Sequence, residues 1–392
     1  MEKSISRLLQ PPEQSFFLFG PRGVGKSLWM AAYYPQAIKF DLLDARLYLE
    51  FSRDPHMLEA RIGKQPARTW VCIDEVQKIP LLLDEVHRLI EKRRYRFVLT
   101  GSSARKLKRG GANLLAGRAI TKHMEGFVSK ELGQHFDLQR ALQWGTLPLI
   151  AMQPKHEADI LETYVNTYIR EEIREEGVVR RVAPFLRFLE VAGIINGEIL
   201  VKENIARDAK VPRSTVDVYF SILEGTLVGH FLPAYRPQAK VREATHPKFY
   251  WFDAGVARGA AGLLRDPVDA LWLGRALETL LFHELRVYNQ MAGRHRPIAY
   301  YRTGAGQEID FIIETEKRTT TKKPAVVCVE VKHARRWRRE WETPMRSLAE
   351  SRTVNVQRMI GVYSGTDRLH FDGLDVLPVA DFLKQLFAGK IF

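Results

Sequence analysis

The run Ser15-Phe-Phe-Leu-Phe-Gly-Pro-Arg-Gly-Val-Gly-Lys-Ser27 decides the fold of the first part of the chain. The apolar residues before Gly20 are typical of a parallel strand that is buried on both faces. Gly20 to Ser27 match the pattern G-x-x-x-x-G-K-[ST] completely, and a helix-forming stretch, SLWMAAYY, begins at Ser27. In such a loop the backbone N–H groups close around phosphates, and the following helix presents its positive end to them. The sequence therefore predicts a nucleotide phosphate site between a strand and a helix.

The loop residues have distinct predicted roles. Lys26 is expected to reach the β- and γ-phosphates of ATP and to act in catalysis. The hydroxyl of Ser27 is expected to bind the Mg²⁺ that accompanies ATP. ATP and Mg²⁺ are therefore the predicted cofactors. The predicted nucleotide contacts in the loop are Gly20, Pro21, Arg22, Gly23, Val24, Gly25, Lys26 and Ser27.

A second apolar strand ends in the acidic pair Asp74-Glu75 of the run VCIDE. Asp74 is predicted to bind Mg²⁺, directly or through water, because a carboxylate at such a strand end suits this metal. Glu75 is placed to polarise the attacking water, which is a general-base role. An acidic pair is often only a solvated strand end, but here it follows a complete phosphate loop. The pair therefore indicates that ATP is hydrolysed and not merely stored.

The strand RFVLTGS carries two hydroxyl side chains at its end, Thr100 and Ser102. One of them is predicted to contact the γ-phosphate or to orient the water, and the sequence does not decide which. Arg118, in the run LLAGRA, is a candidate catalytic residue that acts in the site of a neighbouring subunit. The alternative is an ordinary surface arginine. If Arg118 does act in a neighbouring site, the protein must form oligomers.

The chain divides into three predicted parts, and its fold class is α/β. In residues 1–135, four strand-like runs alternate with helical stretches, which indicates a layered domain with a parallel sheet. These runs are SFFLFG, AIKFDL, TWVCID and RFVLTGS. Residues 136–260 are mainly helical, and residues 261–392 return to a mixed α/β pattern.

A helix-turn-helix pattern is predicted inside the second part. A short helix contains Ile205, a turn follows at Pro212, and a second helix begins near Ser214. The runs LVGHFLPAY and KFYWF are expected to pair as the strands of a wing. Such a module places its second helix in the major groove of DNA; the alternative is contact with neighbouring domains or subunits. The predicted apolar face of the second helix is Val216, Tyr219, Phe220 and Leu223.

Two predicted strands of the third part bring acidic residues together. Side chains alternate along a strand, so Asp310 and Glu330 are expected to face each other about 5 Å apart. With Lys332, they form a D…E-x-K pattern that resembles PD-(D/E)XK nucleases. That resemblance implies that Asp310 and Glu330 hold a second divalent metal and that Lys332 orients water. Glu278, on the preceding helix, corresponds to an acid that many such nucleases add. The alternative is a cross-strand ion pair in a domain that does not cleave.

Composition favours a nucleic acid partner. The net charge of +14 favours polyanionic partners, nucleic acid first and anionic membranes second, although a merely basic surface is the simpler interpretation. Two local clusters strengthen the case for DNA. One is Lys106, Lys108 and Arg109, and the other is Arg335, Arg336, Arg338 and Arg339 around Trp337.

The cellular setting is predicted from what the sequence lacks. Cys72 and Cys328 are the only cysteines, which excludes a disulfide framework and a cysteine zinc site. No apolar run is long enough to span a bilayer, and the first residues lack the layout of a signal peptide. A cytoplasmic protein without a membrane partner is therefore expected.

The runs FLFGPRGVGKS, CIDEVQKIP, VLTGSSARKL and LLAGRA resemble a family of bacterial and archaeal AAA-type ATPases whose C-terminal domain is of unknown function. The resemblance continues through GTLPLI, YVNTYIREEI and KFYWFDAGVARG, so it covers essentially the whole chain. It implies an AAA+ P-loop core, then a helical lid with a winged helix, and then a nuclease-like mixed α/β domain. The expected assembly is a homo-oligomeric ring of six or seven subunits.

The favoured function is an oligomeric ATPase that binds ATP between its subunits. Hydrolysis would let it bind, translocate on or remodel DNA. Two alternatives stay open from the sequence alone. One is an ATP-dependent oligomerisation or signalling switch without nucleic acid, and the other is a metal-dependent nuclease regulated by ATP.

Overall fold

The structure is a computed structural model that describes residues 5–103, 105, 107, 115, 117–153, 155–169, 182–236, 246–303 and 306–392. The chain folds as an α/β protein in which a parallel sheet, a helical region and a mixed sheet follow one another. Cys72 and Cys328 are both buried free thiols. The predicted basic residues Lys106, Lys108 and Arg109 lie outside the described residues.

A five-stranded parallel sheet forms the centre of the N-terminal part. Its order is β2-β3-β4-β1-β5, so β1 lies between β4 and β5. The four strands predicted from the sequence are confirmed, but the fifth was missed because its run Ile-Thr-Lys-His is short and only partly apolar. The strands are β1 (Phe16–Phe19), β2 (Ile38–Asp41), β3 (Trp70–Asp74), β4 (Arg96–Gly101) and β5 (Ile120–His123).

Helices cover both faces of this sheet. On one face, Phe17 and Leu99 pack against side chains of α2, α3 and α4. On the other face, Phe16 and Leu18 pack against α1 in a core that continues into the helical and C-terminal parts of the chain. The helices are α1 (Lys26–Tyr33), α2 (Ala45–Arg53), α3 (Met57–Ile62) and α4 (Leu82–Arg93), and a 3₁₀ turn spans Val76–Lys78.

The next part of the chain is helical. Two of its helices begin at residues that favour a helix N-terminus. Asp137 accepts a hydrogen bond from the Arg140 backbone N–H at the start of one helix, and Pro148 is the first residue of the next. The helices are α5 (Ser129–Leu132), α6 (Leu138–Trp144), α7 (Pro148–Met152), α8 (Glu157–Thr163) and α9 (Val182–Ile194). A 3₁₀ turn spans Gly133–His135 and a π-helix spans Tyr164–Ile169.

Two helices and a two-stranded ribbon lie where the sequence predicted a helix-turn-helix with wing strands. They are α10 (Lys202–Ala209), α11 (Arg213–Gly225), β6 (Gly229–Leu232) and β7 (Lys248–Trp251), and the two strands are antiparallel. Val216, Tyr219, Phe220 and Leu223 are all buried, as predicted for the apolar face of α11.

The C-terminal part is a mixed six-stranded sheet with the order β12-β13-β11-β10-β9-β8. Of the two strands predicted here from the sequence, the first, YYRTGAGQEIDFIIE, is divided between the antiparallel strands β8 and β9. The strands are β8 (Ile298–Arg302), β9 (Glu308–Glu316), β10 (Ala325–Lys332), β11 (Asn355–Tyr363), β12 (Leu369–Phe371) and β13 (Leu374–Pro378). The helices are α12 (Ala254–Ala260), α13 (Ala270–Met291), α14 (Thr343–Glu350) and α15 (Val379–Phe387), with a 3₁₀ turn at Arg339–Glu342.

The ribbon of β6 and β7 is joined to the C-terminal sheet by backbone hydrogen bonds. Tyr300 of β8 donates its N–H to Pro233 O at 2.9 Å, and Tyr235 donates its N–H to Tyr300 O at 2.6 Å. The chain that leaves β6 therefore runs beside the edge strand of the C-terminal sheet. Across the described ranges, no helix has the length and apolar character needed to cross a bilayer.

Candidate functional site

Gly25 and Lys26 shape the loop between β1 and α1. Gly25 has a φ of 93°, a conformation that a residue with a side chain rarely adopts, and α1 begins directly after it. Lys26 is 7% exposed, and its Nζ donates hydrogen bonds to Gly20 O (2.7 Å) and Pro21 O (3.0 Å). The loop thus holds the ammonium with oxygen acceptors, the kind of group that a phosphate also offers.

Asp74 is the centre of a hydrogen-bond network at the ends of β3 and β4. Its Oδ2 accepts a 2.6 Å hydrogen bond from Ser27 Oγ, and its Oδ1 accepts one from Thr100 Oγ1. The backbone N–H of Glu75 also donates to Oδ1, at 3.1 Å. The parallel sheet therefore brings the predicted metal-binding residues Ser27 and Asp74 into direct contact, with Thr100 behind them.

Glu75 leaves β3 in a left-handed backbone conformation, with a φ of 57°. This conformation is uncommon for a glutamate, and backbone strain of this kind is concentrated at functional sites. The Glu75 carboxylate accepts a hydrogen bond from Gln77 Nε2, and the same amide donates to Ser102 Oγ at 3.3 Å. Gln77 is buried and was missed by the sequence analysis, although it lies only two residues after the acidic pair.

The two hydroxyls that the sequence could not separate occupy different places in this network. Thr100 is fully buried and bonded to Asp74, so it supports the candidate metal-binding carboxylate. Ser102 lies beside Gln77, on the side of the candidate base Glu75. The structure therefore gives the two residues different surroundings within one strand end.

Residues from distant parts of the chain hold the phosphate loop in place. Arg7 Nη1 donates to Val24 O at 2.9 Å, and its Nη2 donates to Glu125 O at 2.6 Å. Tyr164, at the start of the π-helix, donates its hydroxyl hydrogen to Arg22 O at 2.8 Å. None of these three contacts has a local sequence signal, because each joins residues from different segments of the chain.

A buried charged group, Glu125, lies just after β5 and below the phosphate loop. Its carboxylate pairs with Arg286 of α13 at 2.8 Å and lies 3.7 Å from His230 of β6. Burial alone would raise the pKa of Glu125, but the Arg286 guanidinium outweighs it and holds the pKa well below its usual value. Burial lowers the pKa of His230, and that of His283 on α13, to about 4, so both are neutral at pH 7. Glu125 therefore connects the region below the loop to the other two parts of the chain.

The end of β4 also contacts the predicted helix-turn-helix. Ser103 Oγ donates to Gly225 O, the last residue of α11, at 2.6 Å, and accepts from Arg105 N at 3.0 Å. A β-carbon at Gly225 would lie 2.6 Å from Arg105 Cδ, so a larger residue there would have to displace the Arg105 side chain. The strand that carries Thr100 and Ser102 is thus in direct contact with the end of α11.

The donor groups at this site fit ATP and Mg²⁺. Ser27 and Asp74 supply a hydroxyl and a carboxylate oxygen, and oxygen ligands are those that Mg²⁺ prefers. Lys26 and the start of α1 supply the positive charge that phosphates require. Arg118 is distant from these residues in the chain, is 37% exposed, and pairs with Glu91 of α4. The role of Arg118 in the site of a neighbouring subunit stays a prediction.

The predicted C-terminal residues also come together. Lys332 Nζ lies 2.5 Å from Glu330 Oε1 and 3.9 Å from Asp310 Oδ2, and the Val331 N–H donates to Asp310 Oδ2 at 2.8 Å. Glu278 of α13 accepts a 2.9 Å hydrogen bond from the Tyr250 hydroxyl. Burial, then the Asp310 carboxylate, raises the pKa of Glu278 to about 7 and that of Glu330 well above its usual value.

The sequence analysis missed a second lysine in this cluster. Lys248, the first residue of β7, is 4% exposed and lies 2.5 Å from Glu308 Oε1, 3.6 Å from Glu278 Oε2 and 3.9 Å from Asp310 Oδ1. The only sequence signal is a lysine at the head of the apolar run KFYWF. In the described part of the chain, no group of three or more His, Cys, Asp or Glu side chains is arranged to hold a metal ion.

The second arginine cluster divides into two pairs. Arg338 pairs with Glu340, and Arg339 pairs with Asp372 and stacks on Phe371. Arg335 and Arg336 are exposed on the loop that follows β10. The cluster therefore contains two arginines with acidic partners on the surface and two that face solvent beside the Lys332 end of β10.

Three family models match consecutive parts of the chain. Residues 12–133 match an AAA domain, residues 135–266 match a domain of unknown function (DUF8612), and residues 273–382 match another domain of unknown function (DUF4143). No curated protein matches the chain. An AAA domain implies nucleotide binding, typically together with Mg²⁺.

Solved structures also match the chain. One is a structure of the Aeropyrum pernix ORC1 protein in complex with DNA, at 11% identity and a TM-score of 0.25; the match covers 64% of this chain and 87% of that one. At this TM-score the two folds superpose too poorly for the likeness to bear on this chain. The family matches and the site geometry agree on the N-terminal part: the chain carries an AAA-type P-loop ATPase domain, and two domains of unknown function follow it.

Proposed function

We propose that the protein hydrolyses ATP at Lys26, Ser27, Asp74 and Glu75 and uses the nucleotide state to control its binding to DNA. One observation carries the proposal. Asp74 joins the phosphate loop, through Ser27, to the end of β4, through Thr100, and Glu75 directly follows it. These contacts support a metal-binding role for Ser27 and Asp74 and a base role for Glu75, all at one end of the sheet.

Lys26 and Ser27 prepare the site for the phosphates. When ATP binds, phosphate oxygens replace Gly20 O and Pro21 O as acceptors of the Lys26 ammonium. Mg²⁺ supplies charge neutralisation for the β- and γ-phosphates, and Ser27 and Asp74 are the residues that would hold it. Thr100 keeps the Asp74 carboxylate in place from the buried side.

Glu75 is the proposed acceptor of the proton from the attacking water. Gln77 fixes the position of the Glu75 carboxylate by a hydrogen bond. The left-handed backbone at Glu75 turns its side chain away from the direction that it would have in a continued β-strand. Ser102 is bonded to the same Gln77 amide, so we assign to Ser102, rather than Thr100, the role of sensing the γ-phosphate. A change at Ser102 then reaches Glu75 through one side chain.

The contact between Ser103 and Gly225 is the proposed route from the nucleotide to α11. Ser103 follows the sensing residue directly, and its hydroxyl is bonded to the last carbonyl of α11. A shift of the β4 end on ATP binding would therefore move the end of the helix that a helix-turn-helix inserts into DNA. Exposed side chains at the start of that helix are Arg213, Ser214 and Asp217.

The proposal is tested by ATP turnover with and without single-stranded, double-stranded and branched DNA. We expect DNA to raise turnover roughly 5-fold or more, the usual lower range of coupling between two sites. Ser103→Ala should remove this stimulation and leave basal turnover unchanged, because the hydroxyl that it removes bonds to Gly225 O and Arg105 N and to no residue of the network around Asp74. Ser221→Ala is the matched control, since the Ser221 hydroxyl bonds only within α11, to Val218 O. Stimulation that survives intact in Ser103→Ala would contradict the route, and no stimulation by any DNA would contradict the DNA proposal.

The exposed arginines predict the salt dependence of DNA binding. Each phosphate contact contributes about −0.9 to the slope of log K against log salt, because bound cations are released from DNA. We expect Arg335→Ala with Arg336→Ala to make the slope shallower by up to about 2 in a fluorescence anisotropy titration. Arg338→Ala with Arg339→Ala is the control pair, because those arginines have acidic partners, and it should change the slope less. Equal slopes for the wild type and the first pair would remove this loop from the DNA surface.

A second candidate function is an ATP-dependent assembly switch without nucleic acid. The observation that favours it lies at the start of α11, where Arg213 pairs with Glu203 and Asp217 pairs with Lys202. Ion pairs within the helix-turn-helix leave fewer groups for base contact and suit packing against protein. In that case ATP should change the oligomeric mass in mass photometry, while no DNA changes turnover. Arg118 would then be the proposed contribution of one subunit to the ATP site of the next, once its pair with Glu91 opens.

A further inference from the structure

The C-terminal acidic cluster receives a lysine from another part of the chain. Four carboxyl groups meet there, those of Glu278, Glu308, Asp310 and Glu330, and they come from α13, β9 and β10. Lys248 enters from β7 and lies within 4 Å of three of them. Its side chain crosses from the ribbon into the C-terminal sheet, with Nζ 5.7 Å from the centre of the Tyr300 ring.

Positively charged side chains of the protein offset most of the negative charge of this cluster. Lys248 contacts the Glu308, Glu278 and Asp310 side, while Lys332 contacts the Glu330 and Asp310 side. Arg302 Nη1 lies 3.9 Å from Glu308 Oε2 as a third cation. Burial alone would lower the pKa of Lys248, but the surrounding carboxylates outweigh it and raise the pKa, so the lysine stays charged. A buried charge of this kind is stable only when it is paired in this way.

One buried carboxylate oxygen of the cluster could act as a metal ligand. Glu330 is 5% exposed, and its Oε2 is fully buried without a hydrogen-bond partner. Removal of Lys248 would also release Glu308 Oε1 and Asp310 Oδ1, while Glu278 Oε2 would keep the hydrogen bond from the Tyr250 hydroxyl. A cleft of about 550 Å³ reaches Lys248, Glu278 and Glu308 and would give an ion a path from solvent. Carboxylate oxygens are the ligands that Mg²⁺ and Mn²⁺ bind.

We propose that the Lys248 ammonium occupies the position of a divalent cation in this cluster. The acidic residues are therefore a docking site for β7 and not a metal site in the native protein. A divalent ion on Asp310 and Glu278 would lie directly against the ammonium, and two cations repel at that distance. Lys248 thus joins β7, a strand of the predicted wing, to the C-terminal sheet through ion pairs, and it excludes a metal ion from the cluster.

The test is a titration of the full-length, nucleotide-free protein with Mn²⁺ alone, followed by electron paramagnetic resonance. The variants are Lys248→Gln, Lys248→Met and Lys248→Arg, each with and without Asp310→Asn. We expect the wild type and Lys248→Arg to bind no Mn²⁺ that depends on Asp310. Lys248→Gln and Lys248→Met should gain one Mn²⁺ site at least 10-fold tighter than any site of the wild type, and Asp310→Asn should abolish it. Dependence on Asp310 separates this site from Ser27 and Asp74.

Each outcome bears on the proposal. Wild-type Mn²⁺ binding that is lost in Asp310→Asn would overturn it, because a metal would then share the cluster with Lys248. Folded Lys248→Gln or Lys248→Met that gains no site would also overturn it, because the lysine would not be what excludes the ion. Lys248→Met keeps the apolar stem of the side chain as far as Cε, so it covers the case in which Lys248→Gln does not fold. If neither folds, the wild type and Asp310→Asn decide, and equal Mn²⁺ binding by the two supports the proposal.

Discussion

Lys26→Ala should weaken ATP binding by about 10²–10⁴-fold, because it removes a charged hydrogen-bond donor to two phosphates and each such bond contributes roughly 1.5–3 kcal/mol. The ammonium is held inside the loop by Gly20 O and Pro21 O, the acceptors that phosphate oxygens would replace. The measurement is equilibrium titration with a fluorescent ATP analogue. Turnover should fall to background in the same protein.

Lys39→Ala is the matched control for this substitution. Lys39 lies in β2 of the same sheet but is exposed, so its loss removes one positive charge without touching the loop. Thermal unfolding should show that both variants remain folded. Wild-type affinity in a folded Lys26→Ala protein would contradict the assignment of the phosphate site.

Glu75→Gln should leave ATP bound and reduce turnover by about 10²–10⁴-fold, which is the usual contribution of a general base. Glutamine keeps the length of the side chain and can still bond to Gln77, but it cannot accept the proton of the attacking water. Phosphate release measures turnover, and the fluorescent nucleotide titration measures affinity. A large drop in turnover at unchanged affinity is the expected result.

Glu50→Gln is the control for the loss of one negative charge. Glu50 lies on α2 and pairs with Arg61 on the surface, away from the network around Asp74. Its turnover should equal that of the wild type. If Glu75→Gln also hydrolyses ATP at the wild-type rate, another group must accept the proton, and the network of Gln77 and Ser102 loses its proposed role.

The phosphate site was predictable because its parts are local or follow from parallel strand order. Gly20 to Ser27 are contiguous, and the carboxyl ends of neighbouring parallel strands must meet at one edge, which brings Asp74 and Thr100 to Ser27. The acidic pairing of Asp310 and Glu330 was predictable for a similar reason, since β9 and β10 are adjacent antiparallel strands.

The supporting residues were not predictable, because they depend on how distant segments pack. Arg7 reaches Val24 and Glu125 from a segment before the sheet, and Tyr164 reaches Arg22 from the π-helix. Lys248 is the first residue of an apolar strand, where a lysine is normally exposed, and it is buried because residues of α13, β8 and β9 pack around it. A single sequence does not show which of its distant segments pack together.

The buried pair of Glu125 and Arg286 has a consequence for how the chain is made. The two residues are 161 positions apart, and a ribosome needs roughly 8–32 s to add that many residues. During this interval the region below the phosphate loop holds a carboxylate whose partner does not yet exist. The N-terminal sheet can form early, but the ion pair of Glu125 with Arg286 has to wait for α13. The region around Glu125 would therefore reach its final packing late in synthesis, after most of the polypeptide has been made.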